Sequence, residues 1–198
     1  MTRKAPGLTN TVRIIGGKWR GKKLGFPSIP GLRPTPDRIR ETVFNWLQFE
    51  LQGARVLDLF AGSGAFGFEA LSRGAAYTVF VEIDRNAVAQ LKTHLRALHI
   101  DNAQVEHCAA VQFLLGGLLD ADRQPFDIVF LDPPYGQNLL QPCITELENR
   151  QFLADNAYIY LEAERALKTL PLPENWRLHR SKHSGQVSYH LAVREPHK

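Results

Sequence analysis

Cysteine is scarce in this chain: Cys108 and Cys143 are the only two among 198 residues, and no CxxC pair occurs. That excludes a disulfide framework or a thiolate zinc site as the organising principle, so both are read as packing residues. Long apolar runs are missing as well, with no stretch of 18 or more, and no membrane-spanning helix is expected. The opening MTRKAPGLTNTVRII has basic residues without an apolar segment behind them, which does not make a secretory signal. These absences lead to the expectation of a cytoplasmic protein with no membrane association, disulfide or metal.

The most informative absence is local. Residues 1–36 contain no acid, against eight cations: Arg3, Lys4, Arg13, Lys18, Arg20, Lys22, Lys23 and Arg33. Because the whole chain carries +4, the other 162 residues carry −4. A basic arm on a mildly acidic domain suits a polyanionic partner, since Lys and Arg gain affinity by releasing counterions condensed on a phosphate backbone. Val12, Ile14, Ile15 and Trp19 flank Gly16-Gly17, which predicts a hairpin with a tight turn at the glycine pair. Arg13, Lys18, Trp19, Arg20, Lys22, Lys23 and Arg33 are the candidate nucleic-acid contacts. Glycines and prolines cluster near residues 25–34, so residues 1–34 are read as a nucleic-acid-binding extension and residues 35–198 as a separate domain that would survive removal of the arm.

The remaining composition, 44% apolar and 22% charged, fits one globular α/β domain. Thr35-Pro36-Asp37 offers an N-cap and an initial proline, followed by Ile39, Val43, Trp46 and Leu47 on one face, predicting a helix over about 36–51. Apolar strand candidates at 55–60, 77–82, 103–107, 126–131 and 157–161 alternate with helical stretches near 64–73, 85–98, 110–119, 138–149 and 163–169. Residues 176–182 and 186–193 are joined by Ser184-Gly185 with no helix between. The prediction is a doubly wound, mostly parallel seven-stranded sheet closed by a C-terminal antiparallel hairpin.

Three segments carry chemistry. Val56-Leu57-Asp58-Leu59-Phe60-Ala61-Gly62-Ser63-Gly64 is a buried strand breaking into a glycine-rich turn at a helix start, where a backbone without Cβ atoms could approach a ligand and free amides favour an anionic group. Glu82 closes the second strand, placed to accept both ribose hydroxyls of a nucleoside, while Asp84 caps the next helix. Both features serve NAD and S-adenosylmethionine alike. The fourth strand then runs into Asp132-Pro133-Pro134-Tyr135, which would face the glycine loop across the switch in strand order. A base's amino nitrogen is a poor nucleophile because its lone pair is delocalised into the ring. Asp132 and the Pro133 carbonyl, by accepting its two N–H bonds, could turn that lone pair toward a methyl donor while Tyr135 stacks on an extruded base.

Gly62-Ser63-Gly64, Glu82 and Asp132-Pro133-Pro134-Tyr135 resemble the motifs of class I amino-methyltransferases. With Arg13–Gly21, Arg33–Leu47 and Asp58–Gly64 the chain closely resembles the bacterial small-subunit rRNA guanine-N2 methyltransferase family, RsmD type, over nearly its whole length. The resemblance implies a Rossmann-like fold, S-adenosylmethionine as methyl donor, and N2 of guanine 966 in 16S rRNA, within a small-subunit particle, as target. By motif match it places the cofactor against Asp58, Phe60, Gly62, Ser63, Gly64, Glu82 and Ile83, and the active site at Asp132, Pro133 and Tyr135. One departure stands out: Cys108-Ala109-Ala110 occupies the place where such enzymes use Asp or Asn to hold the adenine amino group. Rival readings are a dehydrogenase, which leaves Asp132–Tyr135 unexplained, a DNA adenine-N6 methyltransferase, for which no duplex-reading module is evident, and a non-catalytic RNA-binding protein.

Overall fold

The computed structural model describes residues 10–28, 35–116, 124–164 and 169–196. Fourteen elements are formed by them. A basic hairpin, β1 (Asn10–Arg13) and β2 (Lys23–Phe26), precedes helix α1 (Asp37–Trp46). The alternating body follows: β3 (Arg55–Asp58), α2 (Ala65–Ser72), β4 (Tyr77–Glu82), α3 (Arg85–Ala97), β5 (Ala103–His107), α4 (Ala110–Gly116), β6 (Phe126–Leu131), α5 (Leu140–Asn149) and β7 (Leu153–Glu164). The antiparallel pair β8 (Trp176–Ser184) and β9 (Val187–Arg194) ends it. The seven-stranded sheet has the order β5-β4-β3-β6-β7-β9-β8, with β3 to β7 parallel and β9 and β8 antiparallel to their neighbours.

This order follows from side-chain patterning. The central strands are apolar on both faces, as parallel strands must be when helices cover both sides. One face packs Leu57, Val79, Val129 and Ile159 against α4 and α5. The other packs Val56, Phe130 and Tyr160 against Ile39, Val43 and Phe44 of α1 and Phe66 of α2, while Phe80 meets Phe68 of α2 and Leu91 of α3. The antiparallel pair is pinned to α5 by Arg194, whose guanidinium donates to Glu148 at 2.9–3.1 Å. Burial alone would raise the Glu148 carboxyl, but hydrogen bonds from Arg194, Trp176 and Asn175 hold it at about 2.

Several expectations change. β7 continues through Glu164, so the helix expected over 163–169 does not begin there, and its residues 165–168 lie outside the described residues. Register with β9 runs from Tyr158 to Glu164, and that pairing extends the strand past the apolar run that marked it. The tight turn at Gly16-Gly17 is also corrected: the strands pair Arg13 with Lys23, and residues 14–22 form a longer loop. Its path is set by helix α2. Ser72, at the end of α2, accepts from the Lys18 amide with its carbonyl at 2.7 Å and from the Trp19 amide with its hydroxyl at 2.9 Å. A Cβ on Gly17, with φ +74°, would lie 1.8 Å from the Ser72 oxygen, so glycine is required there for close approach to the helix end.

Candidate active site

The chain crosses over between β5 and β6, leaving a crevice beyond the carboxyl ends of the adjacent strands β3 and β6, where open α/β sheets bind ligands. The glycine loop lies there, tied to both neighbours: the Leu59 amide donates to Phe130 of β6 at 3.1 Å and the Ala61 amide to Val81 of β4 at 2.9 Å. Its glycines are also tied into the fold. The Gly67 amide donates to buried Asp58 at 2.9 Å, the Gly62 amide to Glu82 at 2.7 Å, and the Gly64 amide to Ala61 at 2.6 Å. A Cβ at Gly64, where φ is +76°, would strike Phe68 and Leu91, so packing inside the fold also requires glycine there. The loop is a rigid carboxylate-bonded floor, in which Ser63 is buried.

Glu82 ends β4 with both oxygens fixed, one by Gly62 and the other by the Asp84 amide at 2.7 Å. Asp84 caps α3, accepting from Asn86 and Ala87, so Glu82 needs no capping role. Beside it Ile83 leaves 68% of its surface exposed, an apolar platform at the strand end, while Phe60 is half-buried against the core. Cys108 is half-exposed just past β5, and burial with Glu106 nearby pushes its thiol above the ordinary value. Cys143 is a free, buried thiol, as its packing role requires. Among the described residues no group of three or more His, Cys, Asp or Glu side chains is placed to hold a metal ion.

Asp132 follows β6 directly and is half-buried. Thr35, expected to cap α1, instead donates its hydroxyl to Asp132 at 3.0 Å, and Pro36 takes the cap position with no side-chain bond. Tyr135 leaves 51% of its surface exposed but anchors its hydroxyl on Glu162 at 2.8 Å. Buried Glu162 accepts a second phenol, from Tyr160, at 2.9 Å. Thr35 and Glu162 are the site residues that sequence reasoning missed. Pattern does hold a signal for Glu162, since Tyr158, Tyr160 and Glu162 alternate on one face of β7.

Four acids therefore converge: Asp58, Glu82, Asp132 and Glu162. Burial, with Glu82 nearby, raises the Asp58 carboxyl from 3.8 to about 7, although the Gly67 amide works against it. Burial and the charges of Glu162 and Asp58 push Asp132 well above its ordinary range, against the Thr35 hydrogen bond. Such a cluster favours a cationic occupant, which would restore the ionised forms. Tyr135→Phe should lose more than expected of a pure stacking ring, because it leaves buried Glu162 one donor short, at about 1–3 kcal/mol. The check is a comparison of melting temperature and base capture between Tyr135→Phe and wild type; the same values for both would separate the hydroxyl from either role.

The candidate arm residues divide. Lys18, Arg20, Lys22 and Lys23 are exposed, whereas Trp19 is half-buried against the hairpin core with the Lys18 ammonium 5.1 Å from its ring centre. Arg13 pairs with Asp37 at 3.4 Å at the start of α1. Arg33 lies outside the described residues.

A doubly wound sheet with a carboxylate-braced glycine loop, Glu82 at the second parallel strand and Asp-Pro-Pro-Tyr at the switch point defines the Rossmann-like class I methyltransferase fold. The model of the family Conserved hypothetical protein 95 matches residues 12–193, and the chain belongs to this RsmD-type methyltransferase family. It is 49% identical over 184 residues to Ribosomal RNA small subunit methyltransferase D of Escherichia coli (strain K12), covering 93% of this chain and 90% of that one. The protein of that name from Haemophilus influenzae is 46% identical over 189 residues, covering 95% and 96%. Among solved structures, yhhF from Escherichia coli aligns with a TM-score of 0.85 at 45% identity, covering 94% of this chain and 99% of that one. A 16S rRNA N2 G1207 methyltransferase of Thermus thermophilus, in complex with AdoMet and guanosine, aligns at 0.69 with 22% identity over 94% of this chain and 50% of that one, sharing the fold.

Proposed function

We propose that this protein transfers a methyl group from S-adenosylmethionine to the exocyclic N2 of a guanine in 16S rRNA, guanine 966 by family match. The observation that carries the reading is the Asp132–Tyr135 turn, braced by Thr35 and Glu162 and set against the Gly62 loop across the switch point. Bound there, S-adenosylmethionine supplies an electrophilic methyl carbon on a cationic sulfonium. The residues present fit it: Glu82 offers fixed carboxylate oxygens for the ribose hydroxyls, Ile83 an apolar face for the adenine, and Asp58 with its neighbours a negative setting for a cation. Phe60, Gly62, Ser63 and Gly64 shape the floor.

Asp132 and the Pro133 carbonyl accept the two N–H bonds of the guanine amine, and the Tyr135 ring stacks on the extruded base. The proton released from nitrogen after transfer leaves to solvent through the exposed side of the turn. Residues 1–34, with Arg13, Lys18, Arg20, Lys22, Lys23 and Arg33, contact rRNA phosphates; Trp19 anchors their loop. Phosphate contacts fix register, so the shape of the RNA around the base supplies most of the specificity. The substrate is rRNA in a small-subunit particle, and the protein works in the cytoplasm; no helix among the described residues is long and apolar enough to cross a membrane.

Glu82→Ala should weaken binding of the methyl donor at least tenfold, since each lost bond to a carboxylate is worth ~1.5–3 kcal/mol; unchanged calorimetric affinity would remove Glu82 from the site. Because Asp58 is protonated below about 7, affinity for the cationic donor should rise with pH from about 5 to 8, by at most about tenfold per unit for each proton released. Asp58→Asn should flatten that rise, and an equally steep profile in the variant would assign it elsewhere. The reading itself is tested by mapping methylated nucleotides in 16S rRNA from cells with and without the protein, where a single guanine should lose its N2 methyl group.

A further inference from the structure

The cations of the C-terminal hairpin are not used by the site as described. In register, Lys182 of β8 stands opposite Tyr189 of β9, and Tyr189 opposite Glu162 of β7. The three form one cross-strand row, and Tyr189 and Tyr160 both pack in the α1-side core, so Lys182 lies on the face that carries Glu162. Two strand spacings put the backbone of Lys182 about 10 Å from that of Glu162, the residue that holds Tyr135. A register shift at His179 brings Arg180 opposite Leu191, on that same face. Arg38, exposed in the first turn of α1, donates to the Ser184 hydroxyl at 3.0 Å and joins the hairpin tip to the segment carrying Thr35.

β8 is the edge strand, and Arg180 and Lys182 are exposed along it. His183 faces the other side, bonded to Ser188. Arg177, at the far end of the strand, is neutralised by Glu195 at 2.9 Å. Among the described residues Arg38, Arg180 and Lys182 have no carboxylate partner, and they lie toward the Glu162 end of β8, across β6 and β7 from the α2–α3 side where the β1–β2 hairpin packs.

We propose that Lys182, with Arg38 and Arg180, grips the phosphodiester backbone of RNA flanking the base held at Tyr135, so that the substrate strand is fixed on both sides of the pocket. This rests on the RNA methyltransferase reading above. A strand held only at the N-terminal hairpin could pivot about that contact; a second grip beside the pocket fixes which nucleotide can swing in. Phosphate, with no base contact, is the group recognised.

The test uses the full chain and a small-subunit rRNA fragment, with binding followed as a function of salt. Lys182→Ala should weaken binding several-fold at low salt and reduce the slope of log affinity against log salt by about 0.7, the value for one phosphate on single-stranded RNA. Lys182→Ala with Arg38→Gln should reduce it by about twice that, and Lys182→Arg should restore the wild-type slope. Affinity for S-adenosylmethionine should stay unchanged in all, which certifies their folding. Arg177→Ala, ~17 Å away along the strand, should leave the slope unchanged. If Lys182→Ala keeps the wild-type slope while charge reversal at Lys22 and Lys23 lowers it, the second grip is refuted and the RNA reading stands. If Arg177→Ala acts as strongly as Lys182→Ala, the attraction is diffuse and the grip is equally refuted. Failure of the wild-type protein to bind or methylate RNA would overturn the underlying reading.

Discussion

Asp132→Ala should fold, bind S-adenosylmethionine with close to wild-type affinity, and lose ~100-fold or more in single-turnover methyl transfer. The size follows from orientation, because misplacing a reacting group by about 1 Å costs on that order. Folding should survive because the carboxyl adds no favourable charge pairing: burial and two other acids already disfavour its ionised form, and the Thr35 hydroxyl donates a single hydrogen bond to it. Asp132→Asn makes the sharper comparison. It retains a carbonyl acceptor for the amine but carries no charge, so it should keep clearly more of the rate than Asp132→Ala does. A variant Asp132→Ala with the wild-type single-turnover rate would show that the amine is oriented by some other group.

Deleting residues 1–25 should destabilise the whole domain rather than remove a tail. Val12, Ile14 and Leu24 are buried against Phe68, Leu71 and Leu91 of the catalytic body, at ~1.5–3 kcal/mol each. The fully buried carboxylate of Glu69 accepts the Ile15 amide at 2.6 Å and the Gly16 amide at 2.8 Å, with Arg73 at 2.7 Å. Buried Arg40 donates to the Arg13 carbonyl at 2.8 Å and lies 3.8 Å from Glu69. Breaking such a buried charged cluster costs about 3–5 kcal/mol, and the two contributions together rival the ~5–15 kcal/mol that stabilises a domain. The truncated chain should therefore melt far below the full chain or fail to fold, instead of keeping an intact cofactor pocket. Unaltered thermal stability would mean the hairpin contacts are incidental. The nucleic-acid role of the arm is better probed by reversing Lys18, Arg20, Lys22 and Lys23, whose exposed side chains leave that core untouched.

The alternation of strands and helices and the closing antiparallel pair were legible because each central strand is a short apolar run bounded by turn residues, and each helix keeps its apolar positions on one side. Asp84 was read as a cap from its place before a helical pattern, and it is one. What escaped was decided by tertiary partners. Thr35 carries a good N-cap signature, yet the carboxylate 97 residues away takes its hydroxyl. Gly16-Gly17 looks like a hairpin turn, yet the end of α2 dictates the loop. At Gly64 the pattern gave no sign of the packing constraint that Phe68 and Leu91 impose beside it. Glu162 gave no motif because its role depends on two tyrosines from different segments meeting at one carboxylate. Local pattern specifies the frame, while bonds between distant segments specify the site.

The most direct measurement is methyl transfer by the purified protein from labelled S-adenosylmethionine to small-subunit particles from cells that lack it, followed by digestion of the rRNA to nucleosides. The account predicts label in N2-methylguanosine, about one methyl per particle, lost with Asp132→Ala. Label in N6-methyladenosine, or no label at all beside intact cofactor binding, would contradict it.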